Sequence, residues 1–148
     1  MIKNKNMTDE KIIIEINENI NNYTERGDSY SLPELLKAQD ELSGYSFFFA
    51  EIVAEAKKDY NFGYLKRKIV VNRQTQSILD LKVETAMNKA QTKSEVQNED
   101  LLKDELKLEA LSFSYDLKLK QLNRVLSAMQ QRISQAKKEW ELTKFQTT

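Results

Sequence analysis

Basic and aromatic side chains are concentrated between residues 59 and 73, "DYNFGYLKRKIVVNR", around Gly63. Such a mixture could bind single-stranded nucleic acid, because lysine and arginine neutralise phosphates while aromatic rings stack on unpaired bases. Tyr60, Phe62 and Tyr64 are the candidate stacking residues. The other interpretation is a helix whose apolar side is buried and whose charges face water. This stretch alone leaves both interpretations open.

Charge is segregated along the chain, although 23 basic and 23 acidic residues give a formal net charge of zero. Residues 57–73 carry six basic side chains against Asp59, and residues 118–148 carry seven against two acidic ones, so each block has a net charge of +5. Residues 1–56 hold five basic and eleven acidic side chains, a net charge of −6. The candidate DNA-binding residues in the two basic blocks are Lys57, Lys58, Lys66, Arg67, Lys68, Arg73, Lys118, Lys120 and Arg124.

The composition favours long helices in a single domain and weighs against an enzyme. The 148 residues include only three glycines and one proline, and 31% are charged. The absence of cysteine and histidine removes thiolate ligands and the commonest general base. Carboxylates in residues 98–109 are interleaved with lysines, which is typical of a solvated helix face. We therefore expect no enzymatic activity, no cofactor and no metal site.

No segment has the length of a membrane span. The uncharged run Leu42–Ala50 has nine residues, whereas a spanning helix needs about 20 apolar residues. The N-terminal segment is basic, but it lacks a small-residue cleavage site. We expect a protein that does not enter the membrane and that lies in the cytoplasm, the host's cytoplasm if a phage encodes it.

Capping signals divide the chain into three helical segments. Residues 1–30 form an N-terminal helix and linker, in which the helix runs from about Asp9 to Arg26, with Thr8 as N-cap and Gly27 as stop. Residues 31–90 form a long helix that opens with a capping box, a serine followed three residues later by a glutamate, and kinks at most near Gly63. Residues 91–99 form a turn whose motifs "TKSE" and "SEVQ" cap a second long helix over residues 100–145.

The last segment has an apolar residue at every seventh position from Leu101 to Ala136, which predicts a long antiparallel helical hairpin in an all-α, coiled-coil-like fold. Extra apolar residues make its face wider than a two-stranded seam needs, so we expect a homo-oligomer. The residues predicted to form the packing or oligomer interface are Tyr45, Phe48, Phe49, Ile52, Leu119, Leu122, Leu126, Met129, Ile133 and Trp140.

The two basic blocks meet if the hairpin turns near residue 93. In that register residues whose numbers sum to about 186 lie side by side, and Lys66–Lys68 is level with Lys118–Lys120. The two charge runs would then form one basic band.

Three segments carry a resemblance to a known family: "GYSFFFAEI" (44–52), "LKRKIVVNR" (65–73) and the helical run from residue 92 to residue 133. Over residues 33–137 the chain resembles the UvsY-like recombination mediators of tailed phages. The resemblance implies an all-helical oligomer that binds single-stranded DNA and loads a RecA-like recombinase onto strands covered by single-strand-binding protein. It also implies that Lys66, Arg67 and Arg73 contact DNA. The acidic first helix and the C-terminal tail have no counterpart in the family, and "IVV" replaces part of its basic stretch.

The sequence therefore supports two hypotheses from different classes. The first is a recombination mediator that binds single-stranded DNA. The alternative is a helical assembly factor of a phage, whether structural, scaffold-like or host-defence-inhibiting, that binds proteins and not DNA.

Overall fold

The computed structural model describes residues 9–146, and the described residues form four α-helices and no β-strand. The helices are α1 (Asp9–Arg26), α2 (Leu32–Asp80), α3 (Met87–Gln97) and α4 (Glu99–Gln146), and a 3-10 turn (Gly27–Ser29) follows α1. The helices α2 and α4 pack closely as a hairpin, which confirms the predicted all-α class. No described helix has the length and apolarity required to cross a membrane.

The first helix has the predicted bounds, and its apolar stripe packs inward. Ile16 and Ile20 are buried, and Ile13 and Tyr23 are half-buried. Gly27 begins the 3-10 turn, in the place where a helix stop was predicted. The predicted N-cap Thr8 lies outside the described residues.

The predicted capping box at the start of α2 is confirmed. The Ser31 backbone N–H donates a 2.7 Å hydrogen bond to the Glu34 carboxylate, and the Glu34 N–H donates to the Ser31 hydroxyl at 3.4 Å. These bonds favour the ionised carboxylate, and they hold the pKa of Glu34 below its ordinary value. Two backbone donors at the helix start are thereby satisfied by local partners.

The second helix ends ten residues earlier than the sequence predicted. The Val83 N–H donates to the Ile78 carbonyl at 3.1 Å and the Lys82 N–H to the Leu79 carbonyl at 3.0 Å, which is the Schellman pattern of a helix C-terminus. Lys82 has a φ of 52°, the left-handed conformation that this pattern requires. The reversal therefore lies at residues 81–86, and the predicted turn at 91–99 is wrong.

The predicted helix start at Thr92 or Ser94 is also wrong, because both residues lie inside α3. The Ser94 hydroxyl donates a 2.9 Å hydrogen bond to the Val71 carbonyl of α2 and is fully buried. The Thr92 hydroxyl donates to the Asn88 carbonyl at 2.9 Å. Both side chains therefore bind carbonyls instead of capping free N–H groups.

The chain divides into two compact units. The terminal unit comprises residues up to Ile52 together with those from Asp116 onward, and the turn unit comprises Val53–Tyr115. The buried apolar residues of the terminal unit are Ile16, Ile20, Leu35, Leu42, Phe49, Leu122, Met129 and Ile133. Those of the turn unit are Val53, Ala56, Val71, Ile78 and Ala90, beside the buried polar residues Thr75, Ser94 and Glu105.

Gly63 lies within α2, which continues through it without a break. A Cβ atom at this position would lie 3.1 Å from the Leu108 side chain of α4. The glycine therefore allows a close approach of the two helices in the turn unit.

Replacing Lys82 with glycine should stabilise the protein, because a left-handed residue with a Cβ atom costs about 1 kcal/mol relative to glycine. We expect Lys82→Gly to raise the free energy of unfolding in urea by about that amount. Lys82→Ala is the matched control, since it removes the same charge but keeps the Cβ atom. Equal stabilities for the two variants would contradict the assigned turn.

The capping box should also make stability depend on acid pH. The pKa of Glu34 is lowered in the folded state, so its contribution is fully present above the unfolded pKa of about 4.3 and is lost as the pH falls through the folded value. Glu34→Gln keeps a hydrogen-bond acceptor but cannot titrate. We expect the urea midpoints of the variant and the native protein to differ at pH 7 and to converge as the pH falls through the folded pKa of Glu34.

Candidate nucleic-acid interface

In the turn unit, the residue of α4 that lies opposite Arg67 is Glu105, whereas the predicted register placed residue 119 there. Arg67 Nε donates to Glu105 Oε2, and its terminal NH2 group donates to Oε1 at 3.4 Å. In the same unit Asn98 donates to the Gln74 side chain. Partner numbers therefore sum to about 172 instead of 186, and the reversal at residues 81–86 comes before the predicted turn. The predicted register is wrong.

Arg67 was predicted to contact DNA, but its side chain is largely buried and pairs with Glu105. Its side chain is 22% exposed and that of Glu105 is 7% exposed. The hydrogen bond from the guanidinium to Glu105 raises the pKa of Arg67 further above its ordinary value. The guanidinium also lies 5.9 Å from the centre of the Tyr64 ring. Arg67 therefore links α2 to α4 through a largely buried ion pair.

Three of the other basic residues of α2, Lys58, Lys66 and Arg73, share one outward face with exposed apolar residues. At 100° per residue, the positions 58, 62, 66, 69 and 73 fall within an arc of about 80°. This arc faces away from the core, since Phe62 is about 180° round the helix from the buried Val71. We call this set the α2 outer stripe, and it consists of Lys58, Phe62, Lys66, Ile69 and Arg73.

Phe62 is the most exposed of the three candidate stacking residues. Its side chain is 70% exposed, and it lines a shallow groove with Lys57, Lys58 and Leu65. Tyr60 is half-buried, and the nearby carboxylate of Glu109 is the main cause of its raised pKa. A ring that is exposed between two lysines one turn away on either side can receive a base on its face.

Tyr64 is already covered by cations of its own helix. The Arg67 guanidinium carbon and Lys68 Nζ each lie 5.9 Å from the centre of its ring. The side chain of Tyr64 is 39% exposed. Lys68 is exposed but lies beside this ring, outside the α2 outer stripe.

The second basic block lies on α4 in the terminal unit, where two of its three candidate residues have partners. Lys118 Nζ donates to the side-chain oxygens of Asn17 at 2.7 Å and Gln121 at 3.0 Å. Lys120 forms an ion pair with Asp116 at 2.8 Å. Arg124 is exposed and lines a groove beside Tyr23 of α1. Lys118 and Lys120 are thus less available for a phosphate than the cations of the α2 outer stripe.

Most residues predicted for the packing interface form the core of the terminal unit. Phe49, Leu122, Met129 and Ile133 are buried. Those that are half-buried are Tyr45, Ile52, Leu119 and Leu126. Phe48 and Trp140 are 56% and 59% exposed, and Lys144 Nζ lies 4.0 Å from the centre of the Trp140 ring. Packing within the chain accounts for the majority of the predicted interface.

Sequence reasoning missed the role of Glu105, which it treated as one carboxylate of a solvated face. The heptad pattern gave a signal, since Glu105 comes four residues after Leu101 and three before Leu108, both on the predicted seam. A lone acid on an apolar seam predicts a basic partner on the opposing helix. Among residues 9–146 no group of three or more acidic side chains is placed to hold a metal ion.

Comparisons with protein-family models, with curated proteins and with solved structures each found no match to this chain.

Removing Arg67 should destabilise the fold, because it leaves the buried Glu105 charge without its partner. We expect Arg67→Ala to lower the free energy of unfolding in urea by about 3 kcal/mol, the lower end of the range for a buried pair. Lys66→Ala, its exposed neighbour, should change stability by less than about 0.5 kcal/mol. The double variant Arg67→Leu with Glu105→Leu should recover most of the loss. Equal effects of Arg67→Ala and Lys66→Ala would show that the ion pair has no structural role.

Proposed function

We propose that this protein binds single-stranded DNA through the α2 outer stripe and acts as a recombination mediator. The observation that supports DNA binding is the placement of Phe62, 70% exposed, between Lys58 and Lys66 on the face of α2 opposite the core. An exposed ring flanked by cations offers a base a stacking surface and offers its phosphates neutralising charge. Recognition of this kind does not depend on base sequence, because every base has a stacking face.

The spacing of the cations sets the scale of the site. Lys58 and Lys66 are separated by about 12 Å along the helix axis, and Lys66 and Arg73 by about 10 Å. A strand that follows the axis would be contacted at three phosphates, with one base on Phe62. So few contacts give weak binding by a single chain, and several chains on one strand would supply the affinity of a mediator.

The mediator role is the further step of the proposal. A protein that loads a RecA-like recombinase must hold the strand while single-strand-binding protein is displaced, and it must then release it. Several weak DNA-binding sites on neighbouring chains suit that task, because each site can release the strand while the others hold it. This step rests on the resemblance of residues 33–137 to the UvsY-like mediators, which also implies the recombinase and the single-strand-binding protein as partners.

The salt dependence of binding tests the count of phosphate contacts. For an unstructured oligonucleotide of one site length, we expect log K to fall with log salt with a slope of about −2, which is 0.7 for each of three contacts. Lys66→Ala and Arg73→Ala should each reduce the slope by about 0.7. Lys89→Ala, an exposed lysine on α3, is the control and should leave the slope unchanged. Absence of binding at low salt would refute the proposal.

Phe62 should contribute more to binding than other exposed rings. We expect Phe62→Ala to weaken oligonucleotide binding by about 5- to 150-fold, the range for loss of one stacked base, and Phe62→Trp to preserve it. Phe113→Ala is the matched control, because Phe113 is 65% exposed in the same unit but lies on α4. Fluorescence anisotropy measures all three variants. Equal losses from Phe62→Ala and Phe113→Ala would contradict a stacking role.

A second candidate function is a helical assembly factor that binds proteins only. The observation in its favour is an apolar stripe on α4 in the turn unit, where Leu102, Leu106 and Phe113 are 39%, 52% and 65% exposed. Exposed apolar rows at helical spacing are typical of protein-binding faces. Capture of a protein partner from nuclease-treated lysate that is lost in Leu106→Asp and kept in Phe62→Ala would favour this function.

A further inference from the structure

A second surface of α2, in the terminal unit, is centred on Gly44. A Cβ atom added at Gly44 would meet no atom within 4 Å. The residue is in the interior of a long helix, where glycine is the least favourable residue after proline. It has no positive φ and no close neighbour that would require it. Nothing within the described chain therefore explains a glycine at this position.

Two exposed aromatic rings flank Gly44 on the same side of the helix. Phe47 is 70% exposed and Phe48 is 56% exposed, and the two rings form an edge-to-face pair with centres 6.1 Å apart. Gly44 is about 200° round the helix from the buried Leu42, so this surface faces away from the core of the unit. A glycine beside exposed rings leaves room for the backbone of a second helix to approach closely.

Charges on this face are placed symmetrically about the glycine. Lys37 lies seven residues before Gly44 and Glu51 lies seven residues after it, so all three fall within about 40° of arc. Both charged residues are exposed, and neither has an ion pair within residues 9–146. When two copies of this surface pack with their helices antiparallel, each basic residue faces an acidic residue of the other copy.

We infer that α2 forms an antiparallel homodimer in which Gly44 of one chain packs against Gly44 of a second copy. Lys37 of each chain then lies opposite Glu51 of the other, which gives two ion pairs. Asp40 and Glu41 fall opposite Phe48 and Phe47, so no two carboxylates face each other. A parallel pair would instead place Lys37 against Lys37 and Glu51 against Glu51, and like charges oppose that arrangement. The inference does not depend on DNA binding.

Mass measurements on the full chain test this surface. Sedimentation equilibrium of the native protein should show twice the chain mass of 17.3 kDa. We expect Gly44→Leu to be monomeric at the same concentration, because the added side chain prevents the two helices from approaching closely at this position. It should stay fully helical by circular dichroism, because its Cβ atom meets open space and leucine favours the helix. Asn72→Leu, at an exposed position of α2 in the turn unit, is the control and should remain dimeric.

Charge reversal tests the orientation. Lys37→Glu and Glu51→Lys should each weaken dimerisation by about tenfold, because each single change places like charges opposite each other twice. The double variant restores both pairs, and its dimerisation constant should return to within about threefold of the native value. A native protein that stays monomeric at its highest soluble concentration, a dimeric Gly44→Leu, or a double variant without rescue would each overturn the inference.

Discussion

The position at which α2 ends determines which residues of α2 and α4 face each other. The left-handed conformation at Lys82 stops the helix and places the reversal at residues 81–86. Cross-helix contacts depend on that point, among them Arg67 with Glu105 in the turn unit and Ser46 with Asn123 in the terminal unit. Moving the turn by nine residues would give each residue of α2 a partner about eighteen positions away on α4. A single backbone conformation therefore controls the contacts of two long helices.

This register also separates the basic residues of α2 by role. Arg67 faces the hairpin partner and is held by a carboxylate, and the cations of the α2 outer stripe remain on the opposite side of the helix. Neighbours in sequence differ by 100° in direction, so adjacent residues such as Lys66 and Arg67 can have unrelated functions. The same rule separates Phe48, which is exposed, from Phe49, which is fully buried. On a helix this long, the direction of a side chain decides its role more than its residue type does.

Local signals in the sequence were sufficient for part of the fold. The bounds of α1 and the capping box at Ser31 could be predicted because their hydrogen bonds join residues three or four positions apart. The position of the turn could not be predicted, because the residue in the left-handed conformation is a lysine and not a glycine or asparagine. Ser94 was misread as a cap because its hydroxyl binds Val71, 23 residues away. The basic and aromatic residues of the candidate site could be identified from the sequence. That Arg67 is buried while its neighbours are exposed could not, because it depends on which residue of α4 lies opposite it.

The short reversal at residues 81–86 has a consequence for the order in which the chain folds. Contacts of the turn unit such as Ser94 with Val71 span 23 residues, whereas Ser46 and Asn123 of the terminal unit are 77 residues apart. Closing the longer loop first costs about 1 kcal/mol more in chain entropy. We expect the hairpin to close from its turn outward, so that the turn unit forms before the terminal unit.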